Sequence, residues 1–311
     1  MNLKKYLLNG VLTLFLFATG YLTISLYGQD APKEPQKQEQ KAGETKKTDQ
    51  EKASEFYKSG LDGLEQIRKL QVEKDILTED KEKKSTLEEK IKELDKTTIQ
   101  NFEAITGTDK DVLNAIIGLA DTNYERNRYD KAIELYQKAV KKDDKNAELY
   151  FKIGFSLAEL GKFDDALKEY EKAIKIDSTT IKFPKFVDKN AEKLEDEGAK
   201  LMQAKKYDAG IKKLIESLNA EKNPLTIYML GVAHYFNTGS EYAISLIKQS
   251  IKIEPRELYS YAMLAKICTE LNRPQNAILY DQISLLFEPS SKYKEEKLTR
   301  IKANEATISN K

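Results

Sequence analysis

The chain has 311 residues, 33% charged and 40% hydrophobic, and its 52 Lys and Arg against 51 Asp and Glu leave a net charge of +1. That balance excludes the strongly basic footprint of a nucleic-acid-binding protein, so no nucleic acid is expected as a partner. One cysteine, Cys268, and one histidine, His234, exclude an intrachain disulfide, a thiolate zinc site and a multi-histidine metal centre.

The first predicted element is apolar. MNLKK precedes an uncharged stretch from Tyr6 to Tyr27. Twenty-two helical residues would span roughly 33 Å, enough to cross a bilayer core. With Lys4 and Lys5 held on the cytoplasmic side, everything after Gln29 is expected on the extracytoplasmic, periplasmic side. Residues 1–28 read as a signal peptide or a transmembrane anchor. The length suits an uncleaved anchor through residues 6–27. Gly28 before Gln29-Asp30 offers a cleavage point that would release a soluble periplasmic or secreted protein. Residues 29–52 carry Pro, Gln, Lys and Glu without a large apolar side chain and read as a disordered linker.

Helical periodicity begins near Ala53. Phe56, Leu61, Leu64, Ile67 and Leu70 share one face. A charged break, TEDKEKKS, precedes a second run of Leu87, Ile91, Leu94, Thr98, Phe102 and Ile105. Residues 53–112 are therefore a helical N-terminal region, either a degenerate repeat packed on the end of a longer helical array or a coiled-coil seam.

From Leu113 onward the sequence repeats. The small residues Ala132, Ala166, Gly210, Ala243 and Ala277 are separated by 34, 44, 33 and 34 positions. Twelve positions upstream of each lies another small residue: Ala120, Gly154, Gly198, Gly231 and Ala265. Seven positions downstream are Ala139, Ala173, Ser217, Ser250 and Ser284, and four downstream are Tyr136, Tyr170, Leu214, Ile247 and Asp281. Antiparallel helices approach closely where facing side chains are small, and larger residues a turn away fill the flanking space. Each pair leaves an apolar face that a neighbour must cover, which predicts an all-α solenoid.

The segment AELYFKIGFSLAELGKFDDALKEYEKAIKIDSTT, with Tyr150, Ile153, Gly154, Leu157, Gly161, Phe163, Ala166, Tyr170 and Ala173, resembles the tetratricopeptide repeat family. Ile116, Leu119, Ala120, Tyr129, Ala132, Tyr136 and Ala139 repeat the pattern one unit earlier, and Pro255 and Pro289 stand where the family ends its second helix. The resemblance implies a right-handed superhelical solenoid of helix-turn-helix repeats over residues 113–291. Its units would be 113–146, 147–180, 191–223, 224–257 and 258–291, with a capping helix and tail at 292–311. Departures are the insertion IKFPKFVDKN before the third unit, Glu197 and Asp281 at normally apolar places, and Pro274 where an aromatic is usual.

The same resemblance implies that the first helices line a concave groove for a partner polypeptide. Its lining here would be Ile117, Asp121, Tyr124, Phe151, Lys152, Phe155, Tyr228, Val232, Tyr235 and Phe236. That surface lacks the cluster of Lys, Arg and Asn used to clamp a terminal carboxylate, since only Asn114 and Lys152 offer it. No G-x-S-x-G, G-x-x-x-x-G-K, G-x-G-x-x-G or H-E-x-x-H occurs, so neither an enzyme nor a cofactor is expected. His234 and Cys268 read as packed residues. The expected role is a non-enzymatic interaction scaffold. The alternative is a structural or self-associating component of an envelope complex, acting through the 53–106 helices as a homo-oligomer.

Overall fold

The computed structural model describes residues 48–77, 79–105, 108–179, 185–290 and 292–309. The signal or anchor segment and all but the end of the linker lie outside these residues. Among the described residues no helix is long and apolar enough to cross a membrane.

Among the described residues the fold is all helix. The elements are α1 (Asp49–Val72), running into a π-helical turn (Glu73–Leu77), then α2 (Lys81–Glu103), α3 (Asp109–Glu125), α4 (Tyr129–Val140), α5 (Ala147–Glu159) and α6 (Phe163–Ile176). There follow α7 (Lys189–Gln203), α8 (Tyr207–Ala220), α9 (Pro224–Asn237), α10 (Ser240–Ile253), α11 (Leu258–Glu270), α12 (Pro274–Phe287) and α13 (Lys294–Ser309). Two helix starts come earlier than the periodicity implied. Thr48 accepts the Glu51 amide while Glu51 accepts the Thr48 amide, a capping box that starts α1 inside the expected linker. Asp80 accepts the amides of Glu82 and Lys83, so most of the charged break is the first turn of α2.

The repeat offsets are contacts. A Cβ on Gly154 would lie 2.9 Å from the Tyr170 ring and 3.3 Å from the Ala166 carbonyl oxygen. One on Gly198 would meet Leu214 at 2.9 Å and the Gly210 carbonyl at 3.3 Å, and one on Gly231 would meet Ile247 at 2.7 Å and the Ala243 carbonyl at 3.2 Å. Each helix pair thus closes through the small residues twelve positions apart, with the larger residue after them seated over the first. The turn inside each pair is also regular. Backbone amides of Arg128, Lys162, Lys206, Gly239 and Arg273 bond back to the carbonyls of Asn123, Leu157, Leu201, His234 and Cys268. Asn127, Gly161, Lys205 and Asn272 take the left-handed conformation that such a helix ending requires.

α1 and α2 form an antiparallel hairpin that packs on α3. The buried Phe102 ring is wedged between Gly60 of α1 and Gly118 of α3, and Thr98 faces Gly63. Leu64, Ile67, Leu87 and Ile91 are buried as well, so most of the apolar stripe of the 53–106 region is consumed inside the chain.

The solenoid is interrupted. α4 packs on α5 and α8 on α9, but the helix packed against α6 is α12 rather than α7. Phe287 stacks on Phe151 at 5.8 Å between centroids, Tyr261 meets Tyr170 edge-on at 5.8 Å, and Arg256 bonds Asp177 at 2.8 Å. Repeats one and two with the α1–α2 hairpin form one stack, repeats three to five with α13 form a second, and α10–α12 lie against the first. The described residues are an all-α repeat solenoid whose succession changes after α6. α7 presents Glu192, Lys193 and Asp196 to solvent and has little apolar surface to cover α6. The buried Tyr261, Ile283 and Phe287 supply that surface.

Candidate binding groove

The groove face of the first stack is built from α3 and α5. Tyr124 is wholly buried, with edge-on contacts to Tyr136 at 6.2 Å and Phe155 at 5.6 Å. Asp121 accepts hydrogen bonds from the Tyr136 hydroxyl at 2.6 Å and from Lys152 Nζ at 2.7 Å. Over this face lies α10. Lys252 Nζ sits 5.1 Å above the Tyr124 ring and 5.8 Å above that of Tyr129, and bonds Asn127 Oδ1 at 2.9 Å. Lys248 pairs with Glu159 at 2.7 Å.

The expectation of an open groove at Tyr124, Phe151, Lys152 and Phe155 is therefore corrected. All four are buried, and the second stack of the same chain meets this face through Phe287 on Phe151 and Lys252 over Tyr124. Ile117 and Asp121 are half-buried beside them. The Tyr124, Tyr136, Tyr170 and Tyr261 hydroxyls are pushed well up from the ordinary phenol range, first of all by burial.

The remaining expected residues fall on a different face, which is open. α9 presents Tyr228, Val232 and Tyr235 as half-buried side chains and Phe236 as an exposed one. Lys266 of α11 places its ammonium 5.6 Å from the Tyr235 ring and 5.7 Å from that of Phe236. The Tyr235 hydroxyl donates to Glu270, and burial followed by this bond raises its pKa to about 12. Tyr207 stacks on Phe236 at 5.8 Å between centroids. Beside them a cavity of about 670 Å³ runs between α11 and the start of α13, lined by Tyr259, Ala262, Lys266, Phe287, Tyr293, Glu296 and Arg300. Tyr259 is 66% exposed and Tyr293 52%.

Tyr259, Lys266 and Tyr293 are not among the groove residues the sequence indicates. The period itself could have found Lys266, which lies 34 positions after Val232. Lys266 is not aromatic, and Tyr293 lies beyond the last unit. His234 packs edge-on against Tyr242 at 4.8 Å, and burial holds its pKa below the ordinary value. Cys268 is buried and its thiol is pushed up to about 11 by burial, with no nearby cation strong enough to offset it, which leaves it a packed, inert side chain. Among the described residues no group of three His, Cys, Asp or Glu side chains could hold a metal ion.

A family model described as a tetratricopeptide repeat matches residues 147–180, and another described as a TPR repeat matches residues 120–161. Residues 120–180 thus carry tetratricopeptide repeats. No curated protein matches the sequence. Among solved structures, the chain is similar to the TPR2AB domain of yeast Sti1, solved as a pHSP90 complex, at 14% identity over 68% of this chain and 92% of that one, with a TM-score of 0.36. It is also similar to Pseudomonas aeruginosa pilF, at 16% identity over 81% of this chain and 99% of that one, with a TM-score of 0.32. MamA of Desulfovibrio magneticus RS-1 matches at 17% identity over 60% of this chain and 99% of that one, with a TM-score of 0.31.

Proposed function

We propose that this tetratricopeptide-repeat chain is a non-enzymatic scaffold that holds a partner polypeptide along the open face of α9, α11 and α13. The observation that supports this reading is the row of accessible aromatic side chains, Tyr228, Tyr235, Phe236, Tyr259 and Tyr293, interleaved with Lys266, Glu270 and Glu296 beside a cavity of about 670 Å³. Large rings with a polar tip, set among a few charges, are the side chains that dominate binding energy at protein interfaces. The corresponding face of the first stack is already filled by the chain itself. In this reading residues 6–27 hold the protein at a membrane, or are removed to release it, and the repeats work on the extracytoplasmic side.

The test is crosslinking and affinity capture from the native envelope fraction with the wild-type chain and with the Tyr235→Ala, Tyr259→Ala double variant. A specific polypeptide recovered by the wild type and lost by the folded double variant is expected. Equal recovery by the double variant would remove the groove from consideration. Intact mass of the mature protein decides the membrane part, since a start at Met1 means an anchor and a start near Gln29 means release.

A further inference from the structure

A second cavity, of about 280 Å³, lies where three parts of the fold meet. α1 contributes Glu65, Arg68, Lys69 and Val72, α5 contributes Glu148 and Lys152, the α8–α9 connection contributes Lys222, and the end of α10 with the turn after it contributes Lys252, Ile253 and Pro255. Its wall holds five cationic side chains against two carboxylates.

The existing pairings do not neutralise this wall. Arg68 is engaged by Glu125 at 2.7 Å, and Lys152 by Asp121 at 2.7 Å and Glu148 at 2.8 Å. Lys69 reaches the largely exposed Glu65 at 3.3 Å. Among the described residues, Lys222 and Lys252 have no carboxylate within ion-pair distance. Lys222 donates to the Leu218 carbonyl at 3.2 Å, and Lys252 to Asn127 Oδ1 at 2.9 Å and the Glu125 carbonyl at 3.4 Å, with two ring faces beside it. Lys252 is only 7% exposed. An ammonium taken out of water without an anionic partner costs free energy, and a bound anion recovers it. Burial lowers the pKa of both lysines and outweighs the more distant carboxylates, Glu73 for Lys222 and Glu125, Glu159 and Asp75 for Lys252.

We propose that this cavity binds a small multivalent oxyanion, a phosphate ester or a polycarboxylate, held by Arg68, Lys69, Lys152, Lys222 and Lys252. Four lysines and an arginine drawn from separate parts of the fold offer a multiply charged oxyanion more partners than a single carboxylate could use. Val72, Ile253 and Pro255 leave an apolar wall for the carbon skeleton. Because the ligand touches the hairpin and second repeat of the first stack and the second stack at once, its binding strengthens their association. It does so independently of the polypeptide groove, which lies on another face.

The experiment is calorimetric titration of the full chain with inorganic phosphate and, separately, with citrate, against chloride at matched ionic strength so that general screening cancels. Saturable binding to one site is expected, weakened about tenfold in Lys222→Gln through loss of one charge-assisted contact. Lys222 is half-buried at the cavity edge, so far-UV dichroism of that variant should match the wild type. Lys252→Met serves as a second variant, expected to abolish binding. Tighter binding of phosphate than of citrate assigns a phosphate ester, and the reverse assigns a polycarboxylate. No heat above the chloride control, or binding unchanged in a Lys69→Gln, Lys222→Gln double variant, overturns the proposal.

Discussion

The Asp281 carboxylate, wholly buried, accepts two hydrogen bonds from the Arg300 guanidinium, at 2.8 Å from Nε and 2.6 Å from Nη2. In the four preceding repeats the same place is taken by Tyr136, Tyr170, Leu214 and Ile247, all fully buried. The last repeat therefore replaces an apolar contact with a forked ion pair to α13. Burial raises the Asp281 pKa in spite of Arg300. Removing one member of such a pair strands a buried charge and costs about 3–5 kcal/mol, whereas replacing both with apolar side chains is close to neutral. Arg300→Ala should lower the denaturation midpoint strongly, and Asp281→Leu with Arg300→Met should recover most of it. A loss below about 1 kcal/mol in Arg300→Ala would show that the pair does not hold α13.

Three repeats carry serine where the first two have alanine, and the serines are not equivalent. Ser217 donates to the Ala191 carbonyl at 2.8 Å and Ser250 to the Pro224 carbonyl at 2.9 Å, tying the end of each second helix to the start of the first. Ser284 is buried, and among the described residues its hydroxyl has no partner. Ser217→Ala and Ser250→Ala should each cost about 1–2 kcal/mol, while Ser284→Ala should be neutral or stabilising. Chemical denaturation of the three single variants checks the contrast. Equal costs at all three positions would contradict the hydrogen-bond account.

The helix-ending turns give a backbone test free of side-chain contacts. Gly161, at φ 74°, has open space around it, and Lys205 adopts φ 57° with a full side chain. Gly161→Ala should destabilise by about 1 kcal/mol and Lys205→Gly should stabilise by roughly 0.5–1 kcal/mol, since only glycine enters this region without a Cβ penalty. Thermal unfolding of both variants reads opposite signs of the same effect.

Glu88 supplies a pH dependence. Burial by itself would raise its pKa, but hydrogen bonds from Arg126 and Lys74 outweigh burial and hold it at about 2. A carboxylate with a depressed folded pKa contributes stability that is present above its ordinary value of 4.5 and is lost as pH falls toward 2. Protection of the α1–α2 hairpin against proteolysis should therefore decline across that window. Glu88→Gln should show a flatter profile. A variant with the wild-type acid limb would assign the loss to other carboxylates.

Much of the fold was legible because it rests on short-range geometry. The twelve-residue spacing of small residues is the close approach of Gly154 to Ala166, and Pro274 is tolerated because it is the first residue of α12, where an amide is not needed. The start of α1 was missed because Thr48 and Glu51 form a local cap with no apolar residue to mark it. The insertion before the third unit marked where the array is interrupted without saying what would then cover α6.

Sequence alone determined the helix pairs, their turns and the residue types offered on each first helix, since all of these follow from contacts within about one repeat. Tertiary structure decided which of those faces stays open. Tyr124 and Tyr235 occupy the same place in their units, yet Tyr124 is sealed by Lys252 from far along the chain, and Tyr235 is not. Periodicity reports that a face must be apolar. It carries no information about whether a partner or a distant part of the same chain will cover it.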